Sequence, residues 1–130
     1  MNATRRYSRA QAETASPERT MVLLFEAALR HIRSGAAALE GGRPTDAVAA
    51  LARAGEIVAH LDATFDRARL PELARSLGPV YRFVCQRLLS ANLTRNPAFA
   101  REAERAFSPV ADAYSTAVHQ LAARAAEATR

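Results

Sequence analysis

The sequence predicts an all-α fold, an antiparallel up-down-up-down four-helix bundle behind a flexible N-terminal arm. Three observations predict it. Apolar residues recur at alternating steps of four and three in four separate segments, the seam of a bundle helix. Those segments are divided by short runs rich in Gly, Pro, Thr and Asn, and short links place consecutive helices antiparallel. The composition is 49 % hydrophobic but only 6 % aromatic, with no Trp and few Gly and Pro, so the core rests on Ala, Leu and Val in closely packed helices. No strand alternation, internal repeat or low-complexity tract competes. A chain of 130 residues suits one domain with one core, read here as 1–130 with an arm over 1–15 and the bundle over 16–128.

Residues 1–13 are polar and weakly periodic, as expected of a mobile arm. The first helix is predicted from Pro17 to Glu40. Ser16 caps it, Pro17 suits the first helical position, and Glu18 complements the positive end of the helix dipole. Its seam is Met21, Phe25, Ala28, Ile32, Gly35 and Leu39. "GGRPTD" (Gly41 to Asp46) stops it, and Thr45 or Asp46 is expected to cap the second helix, about Asp46 to Arg67. That helix carries Ala47, Leu51, Ala54, Val58, Leu61 and Phe65 on the same rhythm. A break near "RARLPE" (Arg67 to Glu72) leads to a third helix with Leu77, Tyr81, Val84, Leu88 and Ala91. Pro79 is expected to kink that helix or mark its start, with Pro71 opening a separate short turn. In "TRNPAF" (Thr94 to Phe99), Asn96 caps and Pro97 begins the fourth helix. Its seam is Phe99, Ala103, Ala106, Val110, Tyr114, Ala117 and Leu121, with a kink or restart expected at Pro109 and fraying over the last six residues.

The same residues exclude several function classes. No run approaches the roughly 20 apolar residues of a membrane span, and no secretory signal opens the chain. The single Cys85 rules out an internal disulfide framework and fits a reducing, cytoplasmic compartment. It has no signature of an activated thiol and reads as a small core or boundary residue. His31, His60 and His119 fall on three different helices with no ligand spacing, so no metal is expected. Glu102 and Glu104 lie two apart, off a common helix face, and read as solvated charges. No glycine-rich phosphate loop and no Glu-x-x-His pairing occurs. An enzyme is not expected, and neither is a cofactor. The net charge is +5, every one of the 18 basic residues being Arg. Without a dense basic stripe interleaved with aromatics, nucleic acid is a weak candidate partner.

What is left over is apolar. Besides the seams, Val22, Leu23, Leu24, Leu29, Ile57, Leu70, Leu73, Phe83, Leu89 and Leu93 need cover. A wide core stripe with scattered surface leucines accounts for them. A groove that accepts an amphipathic partner segment accounts for them equally.

Four fragments in order resemble one family along nearly the whole chain. They are Tyr7; "TASPE" at Thr14 to Glu18 followed by Leu24-Phe25; "YRFVCQRLLSANL", with Tyr81, Arg87, Leu88, Ala91 and Asn92; and Asp112-Ala113-Tyr114. This pattern is similar to the flagellin-specific export chaperones, the FliS family. The chain differs in being basic, in Phe25 for the usual Tyr and Tyr114 for Trp, and in Pro79 and Pro109. The resemblance implies a cytoplasmic bundle that holds the C-terminal segment of flagellin, prevents its premature polymerisation and keeps it competent for type III flagellar secretion. The export gate would be a further partner. Without its client, such a chain is expected to be a monomer or a weak homodimer. Client-contact candidates are Tyr7, Leu24, Phe25, Tyr81, Arg87, Leu88, Leu89 and Asn92. Core burial competes for the leucines; for Arg87 and Asn92, bridging between helices competes equally. Tyr7 and its neighbours are expected to cover an empty groove until a client displaces them. A self-associating bundle without a client and an Arg-driven nucleic-acid binder are the rival readings.

Overall fold

The computed structural model describes residues 16–64 and 71–129, with residues 71–74 as backbone only. The expected arm with Tyr7 lies outside the described residues, as do Phe65, the Arg67 helix end, the Leu70 break and the side chain of Leu73. Four helices follow in order: α1 (Pro17–Glu40), α2 (Pro44–Thr64), α3 (Pro71–Thr94) and α4 (Pro97–Ala128). They pack in a ring, each helix against the next and α4 back against α1. Contacts such as Arg33 with Glu104 and Thr64 with Met21 join the end of one helix to the start of its neighbour, so the order is up-down-up-down. This is the four-helix bundle that the four-three periodicity predicts.

Local chemistry sets the ends. Ser16 Oγ accepts the Arg19 amide at 3.2 Å, and Asn96 Oδ1 accepts the Ala98 amide at 3.0 Å. Both caps precede a proline at the first helical position, where a missing N–H removes no helix bond. After α1 the Arg43 amide reaches back to the Ala38 carbonyl and the Gly42 amide to that of Leu39. Gly42 sits at φ +71, so this is a Schellman stop that a left-handed glycine permits. Neither Thr45 nor Asp46 caps α2, contrary to expectation. Pro44 starts that helix, and Asp46 stands within its first turn, its carboxylate accepting from Arg43 at 3.3 Å.

The two inner prolines do not interrupt their helices. α3 runs unbroken from Pro71 through Pro79, and α4 from Pro97 through Pro109. Both rings are exposed, and so are Arg75 and Arg105, whose carbonyls lose their i+4 donor. The freed carbonyls lie on the solvent-facing side, where a lost helix bond costs least, which makes an interior proline tolerable. At the C-terminus α4 is helical to Ala128, so the helix takes in most of the segment expected to fray.

The core is a zip of small and branched side chains. Ala28, Ala36, Ala54, Ala91, Ala100 and Ala103 are fully buried among Ile32, Leu51, Val58, Leu61, Val84 and Phe107. Phe25 stacks on Phe107 at 5.6 Å and on Tyr114 at 4.9 Å between ring centres. On α4 the buried set is Ala100, Ala103, Phe107 and Ala111, so part of the predicted seam is displaced. Ala106 and Val110 are half-buried, while Ala117 and Leu121 are exposed. Length explains Leu121. At 1.5 Å per residue the 32 residues of α4 span about 48 Å and the 24 of α1 about 36 Å, so the end of α4 outruns the core.

Between α1 and α4 the chain carries an ion-pair clamp. Arg101 grips both carboxylate oxygens of Glu40, at 2.6 and 3.1 Å, and donates to Glu104 at 3.0 Å. Arg33 donates to the other Glu104 oxygen at 2.7 Å. Glu104 and Glu102 are therefore not solvated charges. They do sit on different sides of α4, Glu104 toward α1 and Glu102 toward Arg87 of α3.

Candidate binding groove

The core accounts for half of the apolar surplus among the described residues: Val22, Leu29 and Ile57 are buried, and Leu24 packs partly against the core. Leu23, Phe83, Leu89 and Leu93 are exposed, with Val48 and Leu121. Leu23 lines a depression between α1 and α4 with Val22, Val118 and Ala122, beside Arg19, Glu26 and His119. The second cluster is less charged. Leu51, Ala52, Gly55, Cys85, Leu88, Leu89 and Asn92 line an open trough between α2 and α3.

Helical spacing builds that trough. On α2, residues 48, 52 and 55 share one face; on α3, residues 85, 88, 89 and 92 face them. Two contacts tie the faces together: Asn92 Nδ2 donates to the Val48 carbonyl at 3.5 Å, and the Cys85 thiol lies 3.9 Å from the Gly55 carbonyl. Leu51 and Leu88 lie buried at the bottom, and the small residues Ala52, Gly55 and Cys85 leave the space above them open. The α3 edge carries Leu89, 60 % exposed, and the surface continues to Leu93 and, across on α2, to Val48.

Two glycines inside helices make a contrast. A Cβ at Gly35 would collide with the side chain of Leu51, so glycine there lets α1 and α2 approach. A Cβ at Gly55 would meet nothing within 4 Å. Glycine in a helix interior costs about 0.5–1 kcal/mol relative to alanine, and at Gly55 no contact within the chain requires it.

The described residues singled out from sequence divide four ways. Leu88, Leu89 and Asn92 come together in the trough, Leu88 as its buried floor at 2 % exposure. Phe25 and Tyr81 are core residues, which back the surface without forming it. Leu24 lies apart, beside Arg53, Glu56, Ile57 and His60 on the α1–α2 flank. Arg87 faces the other way, 3.1 Å from Glu102 and over the rings of Phe83 and Phe99 at 5.0 and 5.5 Å. Arg87 and Asn92 thus both bridge helices. Gly55, Ala52 and Cys85 were not singled out for the site; an isolated glycine within the alanine-rich second helix was the signal available.

Burial tunes the polar groups nearby. The Tyr81 phenol is pushed up to about 12 by burial and, secondarily, by the charge of Asp62 and by Tyr114; among the described residues its hydroxyl has no hydrogen-bond partner. Burial, then Asp62, also raises the Cys85 thiol, which keeps it protonated and a poor nucleophile near neutrality. A protonated thiol on small neighbours leaves an apolar floor.

Four helices around one core, with an uncharged trough open on one flank, define the class: an all-α bundle whose free surface suits another polypeptide. The family model described as flagellar protein FliS matches residues 1–121, and the chain belongs to that family. The flagellar secretion chaperone FliS of Bacillus subtilis (strain 168) is 28 % identical over 112 residues, covering 86 % of this chain and 83 % of that protein. Among the described residues no helix is long and apolar enough to cross a membrane.

Proposed function

We propose that the chain is a flagellar export chaperone that holds the C-terminal segment of flagellin along the α2–α3 trough. The observation that carries this reading is the exposed Leu89 beside the space left open by Ala52, Gly55 and Cys85. A flagellin terminus destined for a filament core is amphipathic and aggregates when unpartnered. Covering it requires apolar area, at about 25 cal/mol per Å² buried, set against the entropy of ordering a flexible segment. No covalent step is involved. Sheltered in this way the client stays unpolymerised in the cytoplasm until the export gate takes it. The free chain is a monomer or a weak homodimer.

Calorimetric titration with the last forty or so residues of the host's flagellin tests this. One peptide is expected per chain, with Leu89→Glu weakening the complex at least tenfold. Deleting residues 1–12 is expected to tighten it. Absence of binding by the intact chain, with light scattering showing a dimer at every concentration, would favour the self-associating bundle and end the chaperone reading.

A further inference from the structure

The trough also specifies the form in which its occupant arrives, an inference that rests on the chaperone reading. Gly55 carries the conformational penalty of a mid-helix glycine, yet the chain itself places nothing against it. Residues 73–101 contain five arginines and no acidic residue. Arg75 and Arg82 stand seven apart, on the α3 face that continues through Cys85, Leu89 and Asn92. Both are exposed, and among the described residues neither has an ion-pair partner. The Arg82 guanidinium lies back beside Gly78, which places its charge on the N-terminal side of the trough. Asp62 of α2, close enough to act on Cys85 and Tyr81, is half-buried and already engaged.

We propose that Gly55 is a close-approach point for an amphipathic client helix, whose backbone crosses α2 over Ala52 and Gly55 and whose acidic residues face Arg82 and Arg75. Missing side-chain volume at Gly55 lets a helix settle to backbone contact there, as small residues do wherever helices approach closely. Apolar α3 residues at one end and unpaired arginines at the other give the trough a polarity. The client's apolar side chains meet Leu89 and Leu93, and its carboxylates meet the arginines. A helix laid with its C-terminal, partially negative end toward Arg82 gains further from its dipole.

The test uses the full chain and the flagellin C-terminal peptide. Gly55→Leu is expected to keep the helical circular dichroism and to melt no lower than the parent, because its Cβ enters open space and leucine favours a helix interior over glycine, and to weaken binding at least a hundredfold. Gly55→Ala is expected to melt higher while binding several-fold more weakly. Arg82→Glu is expected to lose about tenfold, with Arg19→Glu, on another flank, unchanged. The mixture of parent and peptide is expected to show more signal at 222 nm than the sum of its parts. If the parent binds but Gly55→Leu binds equally well, the close-approach point is overturned and the chaperone reading stands. No gain in helical signal overturns the helical client. A parent that does not bind the peptide overturns both.

Discussion

Single residues in this bundle are constrained by what lies opposite them, and Gly35 and Tyr81 show the two extremes. Gly35 is opposite the Leu51 side chain, with no room for a methyl group. Gly35→Ala is expected to destabilise the fold by about 1–3 kcal/mol, the usual range for overpacking, read as a lower urea midpoint at constant slope. Tyr81 has too little opposite it: its ring fills the core and its hydroxyl has no hydrogen-bond partner among the described residues. Tyr81→Phe is therefore expected to stabilise by about 1 kcal/mol, the lower end of the cost of an unsatisfied buried polar group. The sign of the pH effect follows. With the folded phenol at about 12 and the unfolded one near 10, the folded state holds its proton longer. The contribution of this group is constant below about pH 10 and falls as pH rises toward 12, because the unfolded chain ionises first. Tyr81→Phe should remove that part of the alkaline fall in chemical denaturation.

At the scale of elements, α1 and α4 are joined at one end by charge and along their length by apolar packing. The side-chain hydrogen bond from Arg101 lowers the Glu40 carboxyl below its ordinary value. For Glu104, burial pushes upward, but the bonds from Arg33 and Arg101 outweigh it and the carboxyl is lowered. Both groups are depressed, so their contribution is complete above the unfolded value, about pH 4.3. It is lost as pH falls through their lower folded values. Arg101→Met should lower the melting temperature at pH 7 and make the remaining melting temperature less sensitive to acid below about pH 4.5. Equal acid sensitivity in parent and variant would show that the clamp contributes nothing. Much of the clamp is solvent-accessible, so its effect at high salt should be smaller than at low salt.

Considered as a whole, the molecule has a built-in reporter of its docking face. Cys85 is the single cysteine of the chain and lines the trough. Its raised thiol should react slowly with an alkylating reagent at pH 7 and faster as pH rises. Saturating flagellin peptide is expected to slow that reaction at least tenfold at every pH, read by intact mass. Unchanged labelling would place the client elsewhere on the bundle. Salt separates the rival nucleic-acid reading on the same molecule. Peptide affinity should change only a few-fold between low and moderate salt, whereas an Arg-driven nucleic-acid complex weakens by orders of magnitude.

The helix count, the α1 limits, both side-chain caps and most core positions were legible from local rules: a polar oxygen before a proline, a glycine after the last apolar position, and the four-three rhythm. The family was legible too, from Tyr7, "TASPE" and "YRFVCQRLLSANL". Tertiary structure decided the rest. It made Pro79 and Pro109 harmless by turning them to water, recruited Glu102 and Glu104 into ion pairs, and put Phe107 in the core. It also separated Leu89 from Leu88, one exposed and the other buried, and left Gly55 facing empty space. Periodicity reports which way a side chain points from its own helix axis. Whether that direction meets a neighbouring helix or open solvent depends on where the other helices lie, and the trough exists only between two of them.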